Sequence, residues 1–227
     1  MEAEPVKPDQ FLAWLSALPL HKETSVECGA GHAEIAQFLA SRYATSYAVD
    51  LDPIPLPSDT AVKAISADAA DLPFDDASVD LVVSMQALHH FDIAKHLNEA
   101  RRILRPGGVF AALCWGEMSL PADVRRAYDP ILDAIAPYWE DQRPFALSGY
   151  DGLAFSGVSI PRPQAFKRAK CNLDRLEGIM ATWSAVQGAV KDSVDLPEPD
   201  LSKLTMDEEA EFDVSWPLVG QIFRVPA

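Results

Sequence analysis

Apolar positions in the first half of the chain switch repeatedly between a helical and an extended period. Phe11, Leu12, Leu15 and Leu18 recur at helical spacing and predict a helix over 11–18. Residues 26–28 predict a short strand that runs into Gly29-Ala30-Gly31, after which 32–43 predict a helix with Ile35, Phe38, Leu39 and Tyr43 on its packing side. Residues 46–49 predict a second strand closing at Asp50, 62–66 a third, and 79–85 a fourth, apolar on both faces as a central parallel strand requires. Ile93, Leu97, Ala100 and Leu104 mark a helix over 93–104, with Arg101, Arg102 and Arg105 at its negative pole and Pro106-Gly107-Gly108 as its stop. Residues 109–115 follow as a fifth buried strand.

Between the second and third strands the pattern breaks. Pro53, Pro55 and Pro57 stand at alternate positions, where a helix interior would lose amide donors and clash with the preceding turn. That crossover is therefore irregular. The second half alternates less regularly. A helix over 124–139 is interrupted by Pro130 and Pro137, 145–163 is loop-rich, and 164–171 predict a strand. Residues 174–190 predict one amphipathic helix, and Phe212, Val214 and Trp216 alternate along a half-buried strand over 211–216. Strands alternating with helices predict a mostly parallel sheet with crossover helices. No clean linker appears, so 1–227 reads as one domain, with 1–116 as a ligand-binding half and 117–227 as a cap and C-terminal sheet half.

Charge narrows the partners. A formal net charge of −15 over 227 residues repels phosphate backbones and anionic lipid, which excludes nucleic acid and membrane surfaces as expected partners. Cys28, Cys114 and Cys171 are far apart and odd in number, giving neither a disulfide framework nor a zinc spacing. With no signal-peptide pattern at the start and no apolar run longer than 109–115, the expected location is cytoplasmic, as a monomer or homodimer.

The chemistry concentrates after the first strand. Two glycines two apart, Gly29 and Gly31, let the backbone turn sharply and approach a ligand, and the amides of the following helix start favour an anionic group. A dinucleotide fingerprint asks for a third glycine at position 34, where this chain has Glu34. A carboxylate there opposes a pyrophosphate but tolerates a ligand carrying one carboxylate beside an ammonium group. That favours an amino-acid-bearing nucleoside such as S-adenosylmethionine (SAM) over NAD. Asp50 stands at the end of the second strand, about 20 residues on, where such folds place a ribose-binding acid. Asp68 follows the third strand and suits an adenine amino group; for both acids the ordinary alternative is a turn residue.

Taken in order, Glu27-Cys28-Gly29-Ala30-Gly31, Asp50, Ala67-Asp68-Ala69 with Leu72-Pro73-Phe74, Val79 to Val83, and Glu99 to Gly108 resemble the motifs of class I SAM-dependent methyltransferases. The segments 86–92, 182–187 and 214–218 resemble the trans-aconitate methyltransferase-like (type 11) branch. The resemblance implies a Rossmann-like seven-stranded α/β sheet, mostly parallel with one antiparallel strand, for which 212–216 is the candidate. It implies helices on both faces and a C-terminal cap segment. It also implies that Glu27, Gly29 and Gly31 hold the methionine end of SAM, Asp50 the ribose, Asp68 and Ala69 the adenine, and the backbone at Met85 and Gln86 the sulfonium side. The chain departs from the branch in its short segment before Val26, its proline-rich crossover, and His90, where tryptophan is more usual.

Methyl transfer from a sulfonium is an in-line displacement, so alignment matters more than a catalytic triad. His89 and His90, just past the fourth strand, are the candidate catalytic residues, able to take a proton from a hydroxyl or carbon acid near neutral pH. A metal set of His89, His90, Asp92 and His96 has no recognisable ligand spacing, so no metal is expected. The expected activity is SAM-dependent methylation of a small molecule bearing a carboxylate, hydroxyl or acidic carbon, with S-adenosylhomocysteine as product. The alternatives are non-methyl chemistry such as cyclisation on the same fold, or a non-catalytic binding module.

Overall fold

The computed structural model describes residues 5–207 and 209–226. In chain order its elements are α1 (Pro8–Ala17), β1 (Thr24–Cys28), α2 (Glu34–Leu39), β2 (Thr45–Asp50), β3 (Val62–Ser66), β4 (Val79–Met85), α3 (Ile93–Ile103) and β5 (Leu104–Trp115). The second half contributes α4 (Ala122–Ile135), α5 (Arg143–Leu147), β6 (Val158–Ser159), β7 (Phe166–Cys171), α6 (Leu173–Ala181), α7 (Ser184–Lys191) and β8 (Phe212–Arg224). The chain divides into two compact units. The first holds everything up to Gly116 together with Pro144–Phe166 and the chain from Leu218 onward; the second holds Glu117–Arg143 and Lys167–Pro217.

The first unit is built on a sheet ordered β3-β2-β1-β4-β5-β8-β6. The pairings among β1 to β5 are all parallel, and β8 runs antiparallel to both β5 and β6. The order reverses between β1 and β4, the switch point outside whose strand ends open α/β sheets bind their ligands. The mostly parallel Rossmann-like sheet predicted from the sequence is thus present, with β6 adding a two-residue member.

The two faces of the sheet read directly from strand alternation. Val82, Phe110, Ala112 and Cys114 pack on one face with Ala100 and Ile103 of α3. Leu81, Val83, Val109, Ala111 and Leu113 pack on the other with Phe11 and Leu15 of α1 and Leu39 of α2. Helices therefore cover both faces. The proline segment after β2 forms no helix, and Ile54 and Leu56 within it rest on Ala33, Ala36, Ala48 and Val62.

Several boundaries differ from the sequence-based expectation. The helix expected over 32–43 shortens to α2, because Gly31 and Ala33 both lie in the left-handed region and delay its start. The single helix expected over 174–190 is two, since Thr182 and Trp183 interrupt it and Trp183 is extended at the start of α7. The candidate antiparallel strand over 212–216 is corrected: β8 continues to Arg224, and the residues pairing with β5 are Leu218 to Arg224. Pro217 falls between the isolated Ser119–Ser215 bridge and the Trp115–Leu218 pair, where its missing amide removes no ladder bond. In the second unit, Val124, Tyr128, Leu176, Met180, Phe212 and Val214 make the core, and Asp123 accepts from the Thr205 amide and hydroxyl.

Asp80 ties the start of β1 to β4 and β5. It is 1% exposed, its Oδ2 accepts from the Glu23 and Thr24 amides, each at 2.8 Å, and its Oδ1 accepts from Arg105 at 3.0 Å. Asp80→Ala strands two amides and a half-buried guanidinium, a loss of about 3 kcal/mol or more. Thermal unfolding is expected to shift down by roughly 6–12 °C. A shift under about 2 °C would show that water replaces the carboxylate at little cost.

Candidate functional site

The loop after β1 and the loop after β4 pack against each other at the switch point, and Gly29 is the reason they can. Its φ is +68°, and a Cβ there would stand 2.3 Å from Ala87 Cβ and 2.9 Å from the Phe91 ring. Its amide and that of Ala30 donate to the Val49 carbonyl at 2.9 and 3.1 Å, so the turn is stitched to the end of β2. Gly31 differs. Its φ is +51°, but a Cβ there would meet no atom within 4 Å. The Gly31 amide donates to Asp50 Oδ2 at 2.8 Å, bringing the ribose-acid candidate against the glycine turn. Asp50 Oδ1 accepts from the Asp52 amide at 3.3 Å.

Glu27 takes a position the sequence does not reveal. It is 3% exposed, and its Oε2 accepts from the Ala36 amide at 2.7 Å. Ala36 is the third residue of α2, so this carboxylate satisfies a donor that every helix start leaves unpaired. The Ile35 amide also bonds to it. The amides at the head of α2, expected to favour a ligand anion, are thus engaged by the protein itself. Burial dominates the carboxyl's energetics and pushes its pKa up to about 8, against the downward pull of the Ala36 and Ile35 amides.

Asp68 is exposed, and its Oδ1 accepts from the Ala70 amide at 2.8 Å, making it the cap of its own turn. Ala69 is buried, and its carbonyl accepts from His96 Nδ1 at 2.9 Å. The other His96 nitrogen faces Ser84 Oγ at 3.2 Å, so with Nδ1 protonated the serine hydroxyl donates to Nε2. His96 is fully buried, and burial lowers its pKa, which keeps the ring neutral. Asp92 caps α3 through the Lys95 amide. His96 is therefore held in a structural role that joins α3 to the loop after β3 and to β4, and Asp92 in one that caps α3.

Met85 ends β4 and is half-buried; Gln86 is exposed at φ +55°, with its amide donating to the Leu113 carbonyl at 2.8 Å. His89 and His90 lie on the short 3-10 turn Leu88–His90 that follows, with ring centroids 4.1 Å apart. His89 is half-buried and His90 exposed. His89 Nδ1 is 3.1 Å from Tyr150 Oη, a contact made from a loop about 60 residues away in sequence. The sequence singles out Tyr150 only as one of many aromatics; its Gly149 neighbour is the available signal, since it marks a turn that aims the next side chain. Gly29, Gly31, Asp50, Ala87, Phe91 and the histidine turn thus converge at the switch point. Asp68 and Ala69 reach it through His96 and β4.

Cys28 is buried in the strand before the glycine turn, and burial pushes its thiol pKa well above the ordinary range, which makes it an inert packing group. No helix among the described residues is long and apolar enough to cross a membrane.

The chain is similar to known methyltransferases in sequence and in fold. Residues 26–112 match the methyltransferase domain family. An uncharacterised methyltransferase of Mycobacterium tuberculosis is 31% identical over 209 residues, covering 80% of this chain and 82% of that protein. A fatty-acid O-methyltransferase of Mycolicibacterium smegmatis is 29% identical over 169 residues, 68% of this chain and 53% of its own length. The solved structure of a putative type II methyltransferase from Anaeromyxobacter dehalogenans superposes with a TM-score of 0.84 at 27% identity, covering 99% of this chain and 100% of that one. Sheet order, glycine turn and relatives together establish that the chain belongs to the class I SAM-dependent methyltransferases.

Proposed function

We propose that this protein transfers a methyl group from SAM to a small-molecule acceptor bearing a carboxylate, a hydroxyl or an acidic carbon. The single observation that carries this reading is the open space over Gly31, beside an Asp50 carboxylate already turned onto the glycine loop. A ligand with a ribose and a compact zwitterionic end fits that donor set: Asp50 accepts from hydroxyls, and the bare Gly31 backbone allows close approach. A pyrophosphate fits it poorly, since Glu27 occupies the head of α2 and Glu34 lies in its first turn. Gly29 shapes the turn, Glu27 supports it from beneath, and Asp68, Ala69, Met85 and Gln86 border the adenine and sulfonium sides. The chain is read as one catalytic domain over 1–227, with 1–116 holding the cofactor and 117–227 covering the acceptor.

When bound, SAM supplies a methyl carbon already activated by its sulfonium. The protein's task is to align the acceptor and exclude water, and alignment alone provides about 7–11 kcal/mol. A carboxylate acceptor is ionised at neutral pH and needs no base. A hydroxyl or carbon acid needs one, and His89 and His90 beyond β4 are the groups read in that role. The fatty-acid O-methyltransferase relative favours the carboxylate among these acceptors. The segments 86–92, 182–187 and 214–218 carry the reading of a trans-aconitate methyltransferase-like branch.

Isothermal titration with SAM and with S-adenosylhomocysteine, followed by transfer of labelled methyl to a panel of carboxylic acids and phenols, tests the proposal. Saturable heat with both nucleosides and label in an acceptor are expected. No heat with either would make the chain a binding module for something else. Binding without label transfer to any acceptor, in the panel or in a metabolite extract, would favour non-methyl chemistry on the same fold.

A further inference from the structure

We infer that Glu99 and Arg102 of α3 are positioning residues for adenine recognition, holding the loop after β3 so that Asp68 stands where the amino group of the base arrives. The inference rests on the reading of Asp68 and Ala69 as the adenine border. Residues 67–78 join β3 to β4 with neither helix nor strand between them. Such a segment has no ladder to hold its backbone, so its buried polar groups need other partners. α3 supplies them. His96, Glu99 and Arg102 recur three residues apart and so share one side of the helix. His96 Nδ1 donates to the Ala69 carbonyl at 2.9 Å, Glu99 Oε2 accepts from the Leu72 amide at 3.1 Å, and Arg102 Nη2 donates to the Leu72 carbonyl at 3.0 Å.

Arg102 commits its whole guanidinium to this loop and to Glu99. Nε and Nη2 form a fork onto the carboxylate, at 2.9 Å to Oε1 and 2.7 Å to Oε2. Nη1 donates to the Phe74 carbonyl at 2.7 Å and to Asp76 Oδ1 at 2.8 Å. Two bonds to Glu99, two from Nη1 and one to Leu72 make five, one for each N–H of the group. Leu72 is 2% exposed, and its amide and carbonyl are both taken by this pair. Phe74 packs edge to face on Tyr47 of β2, with ring centroids 5.0 Å apart. A lysine ammonium is a point charge without the planar fork, so it cannot meet the Leu72 and Phe74 carbonyls while also gripping both oxygens of Glu99.

Asp68 is bracketed by these ties. On one side the Ala67 amide donates to the Asp50 carbonyl at 3.0 Å; on the other the Ala69 carbonyl is held by His96 and Leu72 by Glu99 and Arg102. The bond from Asp68 Oδ1 to the Ala70 amide sets the shape of the turn, and the outward bonds set its place beside Asp50. If the loop is released, a base with an amino group loses the Asp68 acceptor for part of the time, whereas a base without one loses nothing. The ratio of the two affinities therefore follows the loop. Partial unfolding lowers both affinities by the same factor and leaves the ratio unchanged.

Calorimetric titration of the full chain with S-adenosylhomocysteine and with S-inosylhomocysteine, whose base carries a carbonyl oxygen in place of the 6-amino group, reads that ratio. The parent is expected to prefer the adenine ligand by about 10–100-fold, the worth of one hydrogen bond to a charged acceptor. Arg102→Lys and Glu99→Ala are each expected to reduce the preference to about threefold or less, because the loop then spends most of its time away from the base. Asp68→Ala is expected to abolish it. A parent-like preference in either α3 variant, with Asp68→Ala losing it, would overturn the inference while keeping Asp68 at the base. A preference that survives Asp68→Ala would instead overturn the adenine reading, and the inference with it.

Discussion

Gly31→Val is expected to weaken SAM binding by about 100-fold or more, a loss near 2.7 kcal/mol, while leaving a cooperatively folding protein. Calorimetric titration beside a thermal melt reads both quantities. The argument turns on the contrast between two glycines that look alike in sequence. At Gly31 a side chain enters space with no protein atom within 4 Å. The cost to the fold is the backbone's, since φ is +51° there: roughly 1–2 kcal/mol for a branched residue. That is a melting shift of only a few degrees for a chain this size. The cost to a ligand is larger, because the valine methyls occupy the volume the bare backbone leaves open beside Asp50. At Gly29 the order of effects reverses. Its Cβ would overlap Ala87 and press on the Phe91 ring, so Gly29→Val adds overpacking of about 1–3 kcal/mol to the same backbone strain. Gly29→Val should therefore lower the melting temperature further than Gly31→Val does. Wild-type SAM affinity in Gly31→Val would remove the glycine turn from the binding site altogether.

How far these features were legible follows from what each depends on. β3 and β4 are bounded as the pattern predicts. The tail of β8 was not, because Pro217 reads as a terminator until one sees that no ladder bond falls there. β6 is two exposed residues held by β8, and no periodicity can announce so short a piece. In the site, the glycine spacing and Asp50 were readable because strand ends and turn chemistry are local. Glu27 was readable as an acid before a glycine turn, but not as the partner of Ala36. Which way a strand side chain faces, and what covers it, depends on how α2 packs. The His89–Tyr150 contact was invisible for the same reason, since it joins loops that only the sheet brings together.

Glu27→Gln is expected to flatten the pH dependence of stability and to raise the melting temperature at pH 8 relative to the parent. In the folded chain the Glu27 carboxyl titrates at about 8, against an ordinary value of 4.5, because burial penalises its charge more than the α2 amides favour it. Between those two values the folded state keeps a proton that the unfolded chain has released. Raising the pH through that window therefore favours unfolding: the stabilisation is complete below 4.5 and is gone once the pH passes the folded value near 8. A shift of this size corresponds to a few kcal/mol, or roughly 5–15 °C in melting temperature. Glutamine keeps an oxygen for the Ala36 amide and has no charge to bury, so its curve lacks this slope. A parent curve that does not fall between pH 5 and 8 relative to Glu27→Gln would mean the carboxylate is ionised in place, carried by the two amides alone. The same proton then reports on the ligand. A methionine ammonium seated near Glu27 would favour its charged form, so SAM binding at pH 7 should release a proton. The apparent binding enthalpy would then vary with the ionisation enthalpy of the buffer in the parent and not in Glu27→Gln. Binding heats independent of buffer in both proteins would place the methionine end away from Glu27 and leave that carboxyl with one task, holding α2 at the angle that keeps the glycine turn open.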